Sequence, residues 1–434
     1  MKQAWRWHLV GFSVWLGLTP FFAHGGEELR DAAELRARSG LPNIVARLAG
    51  ASEEPCRVAY LGGSITAAPG WRVKSLEWLQ KRYPKVKFEE INAAIGGTGS
   101  DLGVFRVDQD VLRHRPDLLF VEFAVNDGGA TPERIHQAME GIVRKTWRAN
   151  PKTDICFVYT VSEPFLADLQ KGKCSRAASA MEQVADHYGI PSIHLGLEAA
   201  RMVAAGKLVF KAAKPAAADI LRSPQVFSTD GVHPHVETGH ELYLQAIARS
   251  WEKMEAASPK PEAHPLVAAF REDHWEAAKL LPLNEIRMEG GWQRLDSEQH
   301  DIAKRFAHFL PELWLAKEAG ASLRFRFKGR MAGIYDLVGP DCGQVVAQVD
   351  QQAPVLRPRF DAYCTSHRLQ TFQVAGGSDS NAIHEVRLTL DAAAPDKRIV
   401  LFERNRPDYD KNPAKYAGKN WYAGSVMLLG ELAD

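Results

Sequence analysis

A net excess of either charge is almost absent from this chain. Its 434 residues carry 54 Lys and Arg against 53 Asp and Glu, a formal net charge of +1. So even a balance offers no broad electrostatic attraction to nucleic acid or to an anionic membrane. Cysteine is sparse and odd in number: Cys56, Cys156, Cys174, Cys342 and Cys364. No CxxC pair and no Cys/His cluster suggests a zinc site, and no metal or other cofactor is called for. Cys342 and Cys364 share a C-terminal region and can pair; equally, all five can be small buried side chains. A phosphate loop is missing too, since neither GxGxxG nor GxxxxGK followed by Ser or Thr occurs.

A membrane-spanning run is also lacking. The apolar stretch from Leu9 to about Ala23, broken by Pro20, has roughly 15 residues where a span needs ~20. Lys2 and Arg6 precede it and Ala23-His24-Gly25 follows, the pattern of a secretory signal peptide over residues 1–25. With no cysteine near that cleavage region there is no lipid attachment site. The expectation is export, to the periplasm or the medium, with no membrane insertion after cleavage.

What is present is ordinary globular material, 45% hydrophobic and 25% charged, in a chain long enough for two domains. From Arg57 to about Lys253, short apolar runs alternate with amphipathic helical stretches. Strands are expected at Arg57–Gly62, Val86–Asn92, Asp117–Phe123, Asp154–Thr160 and Pro191–Leu195, and helices at Arg72–Arg82, Pro132–Ala149 and Ser175–Tyr188. Runs such as LLFVEF and ICFVYT are apolar on both faces, as in a parallel sheet covered by helices. This predicts an open α/β domain over residues 26–255. Residues 256–282 open on AASPKPEAHP and read as a linker. Over 283–434 the period becomes two, with strands expected at Ser322–Lys328, Gln344–Asp350, Leu369–Ala375, His384–Asp391 and Arg398–Glu403. That pattern is a β-sandwich of jelly-roll or immunoglobulin-like type.

Four segments fall at strand ends, where open parallel sheets bind ligands. Gly62-Gly63-Ser64-Ile65-Thr66 can expose a serine hydroxyl on a tight turn, although Ser64 would also serve as a helix cap. Asn92–Ser100 is glycine-rich and can aim backbone N–H groups at a substrate, or be a plain turn. Asn126, in Ala124-Val125-Asn126-Asp127, can donate its amide to an oxyanion, or simply shape a turn. Asp230-Gly231-Val232-His233 precedes a helix expected near Val236; three residues let a carboxylate reach one imidazole nitrogen and leave the other for a serine. A lone DxxH is usually a loop. Together, the four supply the separate parts of one acyl-transfer site, in chain order.

On these blocks residues 57–250 resemble the SGNH, or GDSL-like, serine hydrolase superfamily. The resemblance implies a flavodoxin-like α/β/α sandwich with Ser64 as nucleophile, His233 as general base and acid, and Asp230 orienting it. It also implies an oxyanion hole made by the Ser64 N–H, the Gly97 N–H and the Asn126 amide. The pattern departs at Gly63, where Asp is usual, and at Ala124, where Gly is usual and Ala narrows the space beside Asn126.

No long apolar lid lies between Ser64 and Asn126, and the one sizeable insertion before Asp230 is Ala204–Pro224. A short acyl group therefore suits the site better than a lipid chain. Export with an appended β-domain is similar to bacterial carbohydrate esterases, so the expected partner is an acylated, chiefly O-acetylated, glycan. Acyl transfer to a glycan by the same residues and non-catalytic glycan binding are the alternatives. Trp292, Trp314, Trp421 and Tyr422 are candidate sugar platforms, with core positions as the other reading. Asp408–Tyr422 reads as a long surface loop.

Overall fold

A computed structural model describes residues 29–50, 53–376 and 380–434; the expected signal peptide lies outside the described residues. Six strands form the first sheet: β1 (Leu35–Arg36), β2 (Cys56–Gly62), β3 (Phe88–Ala94), β4 (Leu118–Glu122), β5 (Asp154–Tyr159) and β6 (Ser192–His194). Their order is β1-β6-β5-β4-β2-β3, parallel apart from β1. The chain leaves β2 toward β3 on one side and returns to β4 on the other. The crevice where strand order reverses thus opens at the carboxyl ends of β2 and β4.

Helices α1 (Pro42–Ala49), α2 (Ser64–Ala67), α3 (Trp71–Arg82), α4 (Ser100–Asp110), α5 (Pro132–Ala149), α6 (Leu166–Gln170), α7 (Arg176–Tyr188), α8 (Leu197–Ala204) and α9 (Gly239–Ala257) complete this domain. Strand side chains alternate in direction, so the two layers are legible residue by residue. Val58, Tyr60, Leu118 and Phe120 pack with α1, α3 and α9, whereas Ala59, Leu61, Leu119 and Val121 pack with α4, α5 and α7. Local chemistry sets helix ends: the Thr131 hydroxyl accepts the Arg134 N–H ahead of Pro132 in α5, and the Ser175 hydroxyl accepts the Ala178 N–H in α7.

Two short strands, β7 (Leu208–Lys211) and β8 (Gln225–Ser228), pair in parallel and form a ribbon before Asp230. Their loop covers most of the expected insertion.

The second domain is an antiparallel β-sandwich built from one continuous ten-stranded sheet. It comprises β9 (Ala278–Pro282), β10 (Arg287–Glu289), β11 (Trp292–Leu295), β12 (Leu313–Ala316), β13 (Ser322–Val338), β14 (Gln344–Val349), β15 (Val355–Pro358), β16 (Arg368–Gly376), β17 (Ile383–Leu390) and β18 (Trp421–Ala433). The long β13 lets the sheet fold over: its first half pairs with β17, its second half with β16. Register shifts against β18 at Gly329/Met331 and Tyr335/Asp336 bend it.

Several local expectations change. The stretch expected as linker contributes β9, which pairs with β18, and the buried Trp275; five residues carry too little period to be read as a strand. Arg398–Glu403 is not a strand. Asp396 caps the Ile399 N–H and Lys397 buries its ammonium against the Pro340, Tyr416 and Gly418 carbonyls, winding Lys397–Val400 into a turn of helix. Asp408–Tyr422 contains two helical turns, Arg406–Lys411 and Pro413–Tyr416, before β18 begins at Trp421. The helix expected near Val236 starts at Gly239. All five cysteines are free and buried, so Cys342 and Cys364 do not pair.

No helix among the described residues is long and apolar enough to cross a membrane. The two domains share a core. Trp275, Leu310, Tyr335, Leu337 and Met427 join the α4–α5 layer in one apolar cluster.

Candidate active site

Ser64 follows β2 directly and opens α2, half-buried at the crevice. The turn that presents it is fixed from below. Glu122, the last residue of β4 and fully buried, accepts hydrogen bonds from Thr66 Oγ1 at 2.8 Å and Thr160 Oγ1 at 2.7 Å. Burial pushes its carboxyl up, against the hydroxyls of Thr160 and Thr66 and the Gly63 N–H.

His233 sits across the crevice on the loop after β8. Its Nε2 lies 2.8 Å from Ser64 Oγ, and its Nδ1 lies 2.7 Å from Asp230 Oδ2. The other Asp230 oxygen accepts the Val232 and His233 N–H groups at 2.9 and 2.8 Å, closing the DxxH segment into a tight turn. Upstream, Ser228 Oγ accepts the Gly231 N–H at 2.9 Å and donates to the Phe210 carbonyl, tying the turn to the ribbon. Partial burial works to raise the Asp230 pKa, but the His233 side chain and the two N–H donors outweigh it and hold it at about 2. Asp230 is therefore a carboxylate at any working pH. Both partners are half-exposed, so the chain of serine, imidazole and carboxylate lies open to large substrates.

Two further segments face the same crevice. Gly97, after β3, is exposed at φ +75°, a conformation that favours glycine, and a side chain there would point into open space. Asn126 begins the turn Asn126–Gly129 after β4 and packs against Gly63, where a Cβ would stand 1.9 Å from Asn126 Oδ1. As placed, Asn126 leaves no room for a side chain at Gly63. Among the described residues the Asn126 amide makes no hydrogen bond, so its N–H groups are available. An oxygen of developing negative charge beside Ser64 can be met here by backbone and amide donors.

A cleft of about 360 Å³ continues from these donors, lined by Gly97, Thr98, Asn126, Asp127 and Arg134 and, from β16 of the second domain, Gln370 and Thr371. The structure thus gathers Ser64, Gly97, Asn126, Asp230 and His233 at one crevice. It does not bring the four suggested aromatic platforms there as a group: Trp421 and Tyr422 are core, and Trp292 stacks edge-on against Trp421. Sequence reasoning missed Glu122 and Asp127. The acid in the otherwise apolar LLFVEF run was the available signal for Glu122. For Asp127 there was none apart from its place beside Asn126.

Fold and geometry define an open α/β domain with a serine–imidazole–carboxylate site at its topological switch point. Residues 60–242 match the family model of the GDSL-like Lipase/Acylhydrolase family. No curated protein matches the chain in sequence. Among solved structures, two crystals of a two-domain esterase active on acetylated mannans, one co-crystallised with mannopentaose, match across both domains. They cover 92% of this chain and 97% and 98% of theirs, with TM-scores of 0.68 and 0.67 at 22% identity. At that identity the likeness establishes the shared two-domain fold.

Proposed function

We propose that the protein is a serine esterase that removes short acyl groups, chiefly O-acetyl, from a glycan. The observation that carries this reading is the 2.8 Å contact of Ser64 Oγ with His233 Nε2, backed by Asp230 at 2.7 Å. Ser64 attacks the ester carbonyl carbon while its proton passes to His233 Nε2. The oxyanion so formed is met by the Ser64 and Gly97 N–H groups and the Asn126 amide. The alkoxide leaves as Nε2 returns the proton to it, and water, activated by the same imidazole, then cleaves the acyl-serine. Asp230 holds the imidazole in orientation and offsets its charge.

The glycan part of the reading is supported by the polar cleft shared between domains and by the two-domain fold of a mannan-active esterase. Export fits a polymeric substrate outside the cell and rests on the N-terminal sequence pattern. The test is a panel of synthetic esters of graded acyl length together with acetylated polysaccharides, mannan included. Wild type is expected to prefer the acetyl and propionyl members and to release acetate from at least one glycan; Ser64→Ala, with unchanged circular dichroism, is expected to do neither. Preference for long acyl chains would contradict the substrate class, and turnover by Ser64→Ala would contradict the mechanism.

A further inference from the structure

The two outer oxyanion donors sit on loops that the sheet does not hold together. Gly97 follows β3 and Asn126 follows β4, and β2 lies between those strands. Some contact beyond the strand ladder must set the distance between them. We propose that Asp127, buried between these two loops, is a positioning residue that clamps the Gly97 and Asn126 donors into one oxyanion hole. The inference rests on the esterase reading and adds a residue to it.

Asp127 Oδ1 accepts the Ser100 N–H at 3.0 Å, joining the turn after β4 to the first residue of α4. Helix α4 has no cap of its own, because its N-cap position is Gly99; Asp127 supplies the missing acceptor from another segment. The approach is close, since a Cβ on Gly99 would stand 2.3 Å from Asp127 Oδ1. At its other end Asp127 is fixed by its backbone, its N–H donating to the Phe123 carbonyl at 2.8 Å and its carbonyl accepting the Ala130 N–H at 2.9 Å. Both ends of the clamp are therefore anchored.

A carboxylate is a costly choice for this position. The residue is only 3% exposed, and its Oδ2 has no partner among the described residues. The charged groups facing it, Asp101 of α4 and Glu122 of β4, are both acidic. Arg134 of α5 pairs with Asp101 at 3.0 Å. Burial pushes the Asp127 carboxyl up to about 7, against the Ser100 hydroxyl and N–H. Protonated or ionised, Oδ1 keeps a lone pair for the Ser100 N–H, and burial favours the protonated form.

The experiment compares full-length wild type, Asp127→Ala and Asp127→Asn with p-nitrophenyl acetate as substrate and a small boronic acid as mimic of the tetrahedral oxyanion. Asp127→Ala is expected to lower kcat by about tenfold to a hundredfold, less than or equal to the loss of one donor, and to weaken boronate binding in step. KM should stay within about twofold, because the loops move only relative to the transition-state oxygen. Asp127→Asn keeps an acceptor oxygen and should recover most of the kcat. A loss confined to KM, unchanged kcat in Asp127→Ala, or equal losses in both variants would overturn the clamp.

Amide hydrogen exchange gives a second reading that needs no turnover. At one pH, exchange of the amides at 98–102 should be faster in Asp127→Ala than in wild type, while exchange of those in β4 stays unchanged. Equal exchange at 98–102 in the two proteins would overturn the clamp. If no ester is turned over while exchange follows Asp127, the esterase reading fails and the clamp stands.

Discussion

Each residue of the site answers to a separate measurement. Asn126→Ala removes one proposed oxyanion donor and is expected to lower kcat by about 10²–10³ with the fold intact; a loss under about threefold would show that the amide does not meet the oxyanion. Asp127 also has a signature in stability. Its folded pKa of about 7 stands above that of an unfolded Asp, so the folded state holds the proton longer. That contribution is present at low pH and is lost as pH rises through the folded value, on the order of a few kcal/mol in all. Asp127→Asn should therefore gain in melting temperature relative to wild type between about pH 4 and about pH 7, and a pH-independent difference would contradict the burial argument. Asp230 has the opposite sign: held at about 2, it contributes above the unfolded carboxylate range and loses that contribution only in strong acid. The meeting of Ser64, Gly97, Asn126, Asp230 and His233 at one crevice was legible, because each lies in a short local segment at a strand end. Glu122 and Asp127 were not, because their roles arise from what other elements bring to them: Thr66 and Thr160 to one, Ser100 to the other.

At the scale of elements, β4 carries both burdens of the site, presenting Asn126 beyond its end and ending on Glu122 beneath the Ser64 turn. Glu122→Ala would strand the Thr66 and Thr160 hydroxyls and the Gly63 N–H without their acceptor. Each buried group so orphaned costs about 1–3 kcal/mol, so chemical denaturation should show a loss of several kcal/mol. A loss below about 1 kcal/mol would mean that Glu122 does not hold the turn. Element boundaries followed the sequence wherever the pattern was long. Pro132–Ala149 is a helix from end to end, with its cap and proline at the start and apolar side chains on one face. The sequence misled where a short stretch took its form from distant partners. Lys397–Val400 is helical because three carbonyls from elsewhere bind the Lys397 ammonium, and Ala278–Pro282 is a strand because β18 offers it an edge.

For the whole molecule, the shared core has a consequence for cooperativity. Trp275, Tyr335 and Met427 pack in the same cluster as Phe105 and Ile142 of the α/β domain, and Lys145 of α5 donates to the Ala278 carbonyl at 2.5 Å. The two domains should unfold in a single calorimetric transition, and two resolved transitions would contradict a common core. The junction also places Gln370 and Thr371 along the cleft beside Gly97 and Asn126; on the proposed reading, replacing both with Ala is expected to slow turnover of an acetylated glycan more than that of a small ester. The most direct test of the central claim is to trap the covalent intermediate. Rapid acid quench of the protein during turnover of an activated acetate ester, followed by peptide mass spectrometry, should find an acetyl group on the peptide containing Ser64 and none in Ser64→Ala. Turnover at full rate with no acyl group on Ser64, or with the group on another residue, would contradict the account.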